Sequence, residues 1–284
     1  MVMTTARPQP TARRGGLGTV GRLSGQAATY ASGLAALLVV WVAASHFVGD
    51  NVPPPPDVFS QMFLTLDRSA ELASQLGGSG SIVPHLFYTL RNAIVSAVVA
   101  SAIGISLGLL MGQNRVVREL LSFPLEFLRL LPGIALIPFM ILWFGTGAIS
   151  QMGVLLFYVS AMMTVYTYEA TRNIPPIYSQ FALTLGASPR TIFSAVTLPA
   201  VMPEVLGGLR AMIAFALGGE VVTELAGASE GMGRVFLIWT QYFRADSIMA
   251  GLIWIALAAV VLDRVLVLAS RPLLRWVPRE QQAA

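Results

Sequence analysis

Residues 93–111, AIVSAVVASAIGISLGLLM, contain no charged side chain and decide the class of fold. An α-helix needs about 20 apolar residues to cross the hydrocarbon core of a bilayer. A helix also satisfies all its backbone hydrogen bonds internally, which lipid requires. The segment is therefore predicted to be a transmembrane helix. The whole chain has the same character, because 55% of its 284 residues are hydrophobic and 11% are charged.

Five further apolar segments predict five more transmembrane helices, and so an all-α membrane protein with six spans. The first segment is longer than the apolar core of about 7–15 residues in a signal peptide. We therefore expect it to remain as an uncleaved span. The six segments are residues 28–47, 93–111, 128–144, 152–168, 205–225 and 248–262.

The placement of arginine predicts the orientation of the chain. With the N-terminus in the cytoplasm, only Arg68, Arg91, Arg234 and Arg244 of the 18 basic residues lie outside. Positive charge concentrates on the cytoplasmic side of membrane proteins, so both termini are predicted to be cytoplasmic. The predicted organisation is a disordered tail at 1–27, a first span at 28–47, an external loop with a short surface helix at 48–92, a membrane core at 93–270 with a cytoplasmic loop at 169–204, and a tail at 271–284.

The composition also excludes several kinds of site. The chain has no cysteine and its basic residues are all arginine, so a P-loop, which needs lysine, and a cysteine-ligated metal site are both excluded. The two histidines cannot form a three-histidine site. The arginines lie between apolar runs rather than in a stripe, which argues against nucleic acid as a partner. We expect neither an enzyme nor a cofactor or metal site in this chain.

Small residues mark one face of the second span. Gly104, Gly108 and Gly112 are spaced four residues apart and therefore lie on one side of a helix. Because helices in lipid associate by close packing of small residues, this face is predicted to meet another helix, within the subunit or across a dimer.

Proline interrupts the third span at Pro132, next to Gly133, and again at Pro138. Each proline removes a backbone hydrogen bond, so this helix is predicted to be kinked or broken. Broken helices occur in membranes where they line a cavity or are buried in protein. Both a pathway-lining helix and a purely structural kink fit the pattern.

Two carboxylates, Glu220 and Glu224, lie one turn apart on the fifth span. Intramembrane carboxylates are costly and usually face the bundle interior or water. They could serve in a proton relay or at a gate, or they could be hydrated or hydrogen-bonded near the outer end of the helix. The glycines between residues 227 and 233 predict a tight turn after this span.

The loop at 169–204 is predicted to contain two short helices that meet at Gly186. Ser188 can cap the second helix with Pro189 at its first position, and Pro199 is expected to end it. Such a protruding pair suits docking into a groove on a partner.

At this loop the sequence resembles the permease subunits of ABC importers, whose hallmark is E-A-A, three residues, G, nine residues and I-x-L-P. Gln180, Phe181 and Ala182 stand at E-A-A, Gly186 is the glycine, and residues 196–199, VTLP, close the motif. Residues 128–132 (LRLLP), 135–138 (ALIP), 141–145 (ILWFG) and 225–233 (LAGASEGMG) are similar to sulfonate, taurine and nitrate importer permeases. The likeness covers most of the chain from about residue 50 onward.

The resemblance implies the six-helix type I importer fold in a prokaryotic cytoplasmic membrane, working by alternating access. Implied partners are a dimer of ABC ATPases that binds ATP and Mg, a second permease copy and an extracytoplasmic binding protein. The implied solute is a small anion such as a sulfonate, taurine, nitrate or a similar organic acid. The residues implied to contact the ATPase are Gln180, Phe181, Ala182, Gly186, Ala187, Ser188, Arg190, Val196, Leu198 and Pro199.

Two other functions are compatible with parts of the sequence. A proton-coupled secondary transporter could use Glu220 or Glu224, but it predicts inverted internal repeats, and none is visible in the sequence. A structural membrane scaffold would explain the glycine face but not the interrupted third span.

Overall fold

A computed structural model describes residues 17–67, 69–76 and 80–274. All regular structure in these residues is helical. Five helices are long and apolar enough to cross a membrane, and a bent pair supplies a sixth candidate. The prediction of an all-α membrane protein is confirmed. Residues 1–16 and 275–284 of the predicted tails, and Gly77, Gly78 and Ser79 of the external loop, lie outside the described residues.

The chain divides into two units, one up to Asp57 and one from Val58 onward. The first unit consists mainly of α1, Leu17–Val48, and the part of it that is apolar enough to cross a membrane, Thr29–Val48, agrees with the first predicted span at 28–47. A single 3-10 turn, Gly49–Asn51, follows it. The indole Nε1 of Trp41 donates a hydrogen bond of 3.0 Å to the carbonyl of Pro53, which fixes the chain as it leaves the helix.

The segment after the proline run folds into two helices, α2 (Pro55–Asp67) and α3 (Ala70–Leu76). Two of the four prolines form the first turn of α2, where the missing N–H costs nothing. One face of α2 is buried, with Val58 and Met62 on it, while Phe59 and Phe63 are exposed. The indole Nε1 of Trp254 donates a hydrogen bond of 3.1 Å to the carbonyl of Met62.

The core of the second unit is formed by three long helices, α4 (Val83–Gln113), α7 (Ala148–Arg172) and α10 (Leu198–Leu225). The buried face of α4 consists mainly of small side chains, so that its backbone approaches the neighbouring helices closely. The buried cluster contains Ala93, Ala97, Ala100, Leu155, Val159, Met163, Ala216 and Leu217.

The third span is broken. It consists of α5 (Arg115–Leu130), a 3-10 turn (Gly133–Leu136) and α6 (Ile137–Phe144), and its two parts meet at 94°. The break falls at Pro132, as the sequence predicts. Pro138 lies in the first turn of α6, where a helix tolerates proline, so it does not kink this helix.

The loop at 169–204 contains α8 (Pro176–Thr184) and α9 (Pro189–Ile192). Gly186 has φ +76°, a left-handed conformation that favours glycine, and it makes the turn between the two helices. Ser188 caps α9 by accepting a hydrogen bond from the backbone N–H of Thr191.

The expectation that Pro199 ends the second helix is wrong. A π-helical turn, Phe193–Thr197, connects α9 directly to α10, and Pro199 is the second residue of α10. The N–H of Leu198 reaches back to the carbonyl of Phe193. This wider turn accommodates the proline ring, which an uninterrupted α-helix would not.

The last two helices are α11 (Met232–Gln241) and α12 (Ala245–Ser270). Gly231, with φ +100°, precedes α11 and provides the tight turn predicted after the fifth span. Trp239, on α11, is completely buried beside Phe236, their ring centroids 6.2 Å apart. The turn and α11 therefore pack into the second unit rather than forming an open loop.

Candidate functional site

A cavity of about 610 Å³ opens between the broken third span, α7 and α10. Pro132 and Gly133 line it at the break, which means that the interruption of the third span is used to form a cavity wall. The other lining residues are Arg129, Leu130, Leu131, Ile134, Ile137, Val154, Leu155, Tyr158, Ala214, Phe215, Gly218, Gly219, Val222 and Thr223.

The cavity wall is largely apolar and aromatic. Tyr158 of α7 and Phe215 of α10 stack with their ring centroids 4.6 Å apart. A Cβ placed on Gly133 would lie 3.3 Å from the ring of Tyr158, so the backbone at the break packs closely against this aromatic pair. Gly218 faces open space, because no atom lies within 4 Å of a Cβ built on it.

Several of these residues carry no distinctive signal in the sequence. Arg129 belongs to the LRLLP stretch at 128–132, but no role for its side chain is predicted from that stretch, and Tyr158 and Phe215 are two aromatic residues among many. A stack between two helices depends on how the helices pack, which no local pattern records. Only the prolines point to this site from the sequence.

Glu224 anchors the turn after α10 rather than lining the cavity. Its side chain is fully buried, and its carboxylate accepts hydrogen bonds from Thr89 Oγ1 at 2.7 Å and from the N–H of Gly233 at 2.8 Å. The hydroxyl of Thr89 also accepts a hydrogen bond of 2.9 Å from the N–H of Met232. The carboxylate thus lies at the N-terminus of α11, where the helix dipole favours negative charge.

The glycines of this turn allow the carboxylate to approach. A Cβ on Gly231 would collide with the carboxyl group of Glu224, and a Cβ on Gly233 would lie 2.5 Å from the Cβ of the same residue. The N–H of Gly231 donates to Nδ1 of His85 at 3.3 Å. Among the alternatives predicted for Glu224, this geometry fits the one in which its carboxylate is hydrogen-bonded to neighbouring helices.

Glu220 is equally buried but has a different environment. The side-chain amide of Asn92 on α4 interacts with its carboxylate, but no hydrogen bond of good geometry reaches either carboxylate oxygen among the described residues. The amide nitrogen of Asn92 and the hydroxyl of Ser96, both buried on α4, likewise make no hydrogen bond of good geometry there. Glu220 does not line the cavity. This geometry therefore does not support the predicted alternative that Glu220 acts as a gate in the pathway.

The glycine face of α4 packs against α7 in the same subunit. A Cβ on Gly104 would lie 2.5 Å from Met163 Cβ, and one on Gly108 would lie 2.6 Å from Thr167 Cβ. Gly112 approaches the side chain of Thr171 in the same way. Of the two predicted uses of this face, the structure shows the one within the subunit.

The α8–α9 segment, residues 176–197, protrudes from the helix bundle with no buried residue. The Gln180–Ala182 stretch lies on α8, and Phe181 is 64% exposed. Leu185, at the end of α8, is 72% exposed. The segment therefore presents apolar side chains that make little contribution to the fold of this chain.

The other residues of the predicted docking motif hold or continue this segment. The N–H of Ala187 donates to the carbonyl of Ala182 at 3.0 Å, closing the turn at Gly186. Arg190 is exposed on α9. Val196 belongs to the π-helical turn, and Leu198 and Pro199 begin α10.

In the part of the chain that the structure describes, no group of three or more histidine, cysteine, aspartate or glutamate side chains could hold a metal ion. The chemistry available at the cavity is therefore that of apolar walls, an aromatic pair and one arginine.

Comparison with known proteins gives one consistent family. The profile described as binding-protein-dependent transport system inner membrane component matches residues 100–277. The taurine transport system permease protein TauC of Escherichia coli K12 is 28% identical over 245 residues, which cover 86% of this chain and 87% of TauC.

A second relative and a solved structure point the same way. The Bacillus subtilis 168 protein SsuC, named as an aliphatic sulfonates transport permease, is 30% identical over 200 residues, covering 70% of this chain and 72% of SsuC. An inward-facing structure of the MetNI methionine ABC transporter has the same fold, with a TM-score of 0.58 at 20% identity over 70% of this chain and 96% of that one.

Proposed function

The chain belongs to the family of binding-protein-dependent transport system inner membrane components, and we propose that it moves a small anionic solute into the cytoplasm by ATP-driven alternating access. It is the permease of an ABC importer, a multi-pass membrane protein. Its relatives are transport subunits rather than enzymes. In this family a separate ATPase and a binding protein complete the importer.

The observation that carries the proposal is the exposed α8–α9 segment. Phe181 and Leu185 expose most of their apolar surface although neither is needed to fill the core of this chain. Exposed apolar side chains grouped on one protrusion are typical of a docking surface. The segment also contains the motif by which the sequence resembles ABC permeases. We assign it to the ATPase, which places it in the cytoplasm together with both termini.

The connection between this segment and the cavity supports alternating access. The backbone is helical from Pro189 through the π-turn into α10 without a loop. The same α10 supplies Phe215 and Gly218 to the cavity wall. A movement of the ATPase that displaces α9 would therefore be transmitted to the cavity wall. The broken third span forms the opposite side of the cavity.

The names of two relatives support the proposed class of solute. TauC is named for taurine and SsuC for aliphatic sulfonates, and we propose a sulfonate, taurine, nitrate or a similar organic acid. We assign its delivery to a binding protein on the outer face of a prokaryotic cytoplasmic membrane. A second copy of this chain would complete the pathway. The ATP and Mg would be bound by the ATPase subunits.

The proposal is tested by co-purifying the tagged permease with its cognate ATPase from membranes. Phe181→Ser is expected to lose most of the bound ATPase, while the permease itself remains inserted. Phe243→Ser is the matched control, because Phe243 is 93% exposed and lies in the turn between α11 and α12, outside the α8–α9 segment. Equal recovery of ATPase with both variants would contradict the docking assignment.

One observation favours the second candidate, a proton-coupled carrier. Glu220 is a fully buried carboxyl group, and no hydrogen bond of good geometry reaches its oxygens among the described residues. Such groups in membranes are commonly functional. Uptake that depends on a proton gradient instead of ATP would support this candidate.

A further inference from the structure

Arg129 occupies an unusual position in the cavity wall. It lies in the last turn of α5, directly before the break at Pro132, and it is exposed to the cavity that it lines. Two arginines elsewhere in the second unit form ion pairs, Arg210 with Asp263 at 2.8 Å and Arg244 with Asp246 at 3.0 Å. Arg129 has no carboxylate partner among the described residues.

The remaining cavity wall supplies nothing that would neutralise this charge. None of the described residues that line it is a carboxylate, and the hydroxyl of Thr223 donates to the carbonyl of Glu220 at 2.8 Å. Glu126 lies one turn before Arg129 on α5 but is not among the lining residues. The cavity therefore combines one cation with walls that are otherwise nearly all apolar.

The dimensions and walls of the cavity fit a small organic molecule. Ligand pockets of about 300–1,000 Å³ are typical for such molecules, and this cavity lies in that range. The stacked rings of Tyr158 and Phe215 offer a flat apolar surface. An inorganic anion would leave this surface unused, whereas an anion with a hydrocarbon body would use both features.

We propose that the cavity binds organic anions directly, with Arg129 holding a sulfonate or carboxylate group and the Tyr158–Phe215 pair contacting the hydrocarbon body. The guanidinium group suits this role because its N–H groups form a planar fork that matches the oxygens of such anions. The inference rests on the proposed function for its physiological meaning. It adds that the permease, and not only the binding protein, selects its solute.

An alternative role for Arg129 is to stabilise the C-terminus of α5, where a positive charge interacts favourably with the helix dipole. That role needs no ligand and predicts no preference between anions and cations. Binding measurements with ligands of both charges therefore separate the two roles.

The test uses the full-length permease in nanodiscs, with 1-hexanesulfonate and hexyltrimethylammonium as probes in isothermal titration calorimetry. The wild type is expected to bind the sulfonate and not the ammonium compound. Arg129→Gln is expected to weaken sulfonate binding by about tenfold or more, the order expected for a charge-assisted hydrogen bond. Arg115→Gln is the matched control on the same helix, because Arg115 is paired with Glu119 at the opposite end of α5 and lies outside the cavity.

Charge reversal gives a second, independent readout. Arg129→Glu is expected to reverse the preference, so that the ammonium probe binds and the sulfonate does not. The proposal would be overturned if the wild type did not bind the sulfonate, or if the wild type and Arg129→Gln bound it equally. An Arg129→Glu variant that still prefers the sulfonate would also overturn it.

Results that overturn this binding proposal can be distinguished from results that overturn ATP-driven import. Because the measurement needs neither ATP nor a binding protein, a permease that is driven by protons would still show Arg129-dependent binding. Conversely, ATP-driven uptake by a wild-type permease whose sulfonate binding is unchanged in Arg129→Gln would leave the proposed function intact and overturn only this inference.

Discussion

The hydroxyl of Thr89 on α4 donates a hydrogen bond of 2.7 Å to the carboxylate of Glu224 on α10. The same hydroxyl accepts from the N–H of Met232, while the N–H of Gly233 donates to the carboxylate. Two side chains thereby connect α4, α10 and the first turn of α11. Because the hydroxyl, the carboxylate and the two N–H groups are buried, the loss of any of these hydrogen bonds leaves a buried polar group without a partner.

Thr89→Val tests this connection. Valine keeps the volume of threonine but can neither donate to Glu224 nor accept from Met232. We expect the free energy of unfolding to fall by about 1–3 kcal/mol, the cost of unsatisfied buried polar groups, measured as a lower melting temperature of the purified protein. Thr240→Val is the control, since that hydroxyl is exposed and bonds only to the carbonyl of Phe236 in its own helix. Equal melting temperatures for both variants would contradict the account.

Gly104→Ala is expected to disrupt the packing of α4 on α7. The added methyl group would lie 2.6 Å from the carbonyl oxygen of Ser160 and 2.5 Å from Met163 Cβ. Neither atom is at the end of a flexible side chain, so the helices would have to separate. Overpacking of this kind costs about 1–3 kcal/mol, which thermal unfolding followed by size-exclusion chromatography would detect.

Gly207→Ala on α10 is the control for that experiment, because no atom lies within 4 Å of its added Cβ. It is expected to be neutral or slightly stabilising, since alanine favours helix over glycine by about 1 kcal/mol. A similar loss at both positions would show that the measured effect is not due to the contact between α4 and α7.

Gly218→Leu is expected to block transport without unfolding the protein. Its Cβ meets no atom within 4 Å, so the leucine side chain would extend into the cavity. We expect solute uptake by the reconstituted importer to fall at least tenfold while the melting temperature is unchanged. Gly207→Leu, at an equally open position on the same helix outside the cavity, should transport normally. Normal uptake with Gly218→Leu would exclude this cavity as the pathway.

Gly186→Val is expected to leave the protein inserted but to separate it from its ATPase. At φ +76° a side chain costs about 1–2 kcal/mol for most residues, and the cost is highest when the side chain is β-branched. Asparagine tolerates this conformation, so Gly186→Asn should retain more ATPase than Gly186→Val in the same co-purification. The account requires that order of recovery, and the reverse order would refute it.

The fold could be predicted from the sequence where a local rule decides the structure. Long apolar runs predict the transmembrane helices, because backbone hydrogen bonds must be satisfied within the helix in lipid. Pro132 breaks the third span, and Gly186 with Ser188 makes the turn and cap between α8 and α9. In each case the residue type alone fixes the backbone.

The same local rules fail where a neighbouring turn compensates for proline. Pro199 does not end a helix, because the preceding π-turn accommodates its ring. Pro138 does not kink α6, because it lies in the first turn. Whether a proline interrupts a helix depends on its position in the helix, which sequence spacing alone does not give.

The site was less predictable because it depends on contacts between distant residues. The pairing of Thr89 with Glu224 joins positions 135 residues apart, and nothing near either residue records it. The same holds for the stack of Tyr158 on Phe215 and for the place of Arg129 in the cavity wall.

The most direct test of the central claim is uptake into proteoliposomes that contain this permease, its cognate ATPase and the loaded binding protein. The labelled ligand of the binding protein is followed with ATP on the ATPase side, with ADP there, and with an imposed proton gradient alone. The account predicts uptake only with ATP, unaffected by a proton ionophore and retained in Glu220→Gln. Uptake that is driven by the proton gradient without ATP, and lost in Glu220→Gln, would contradict it.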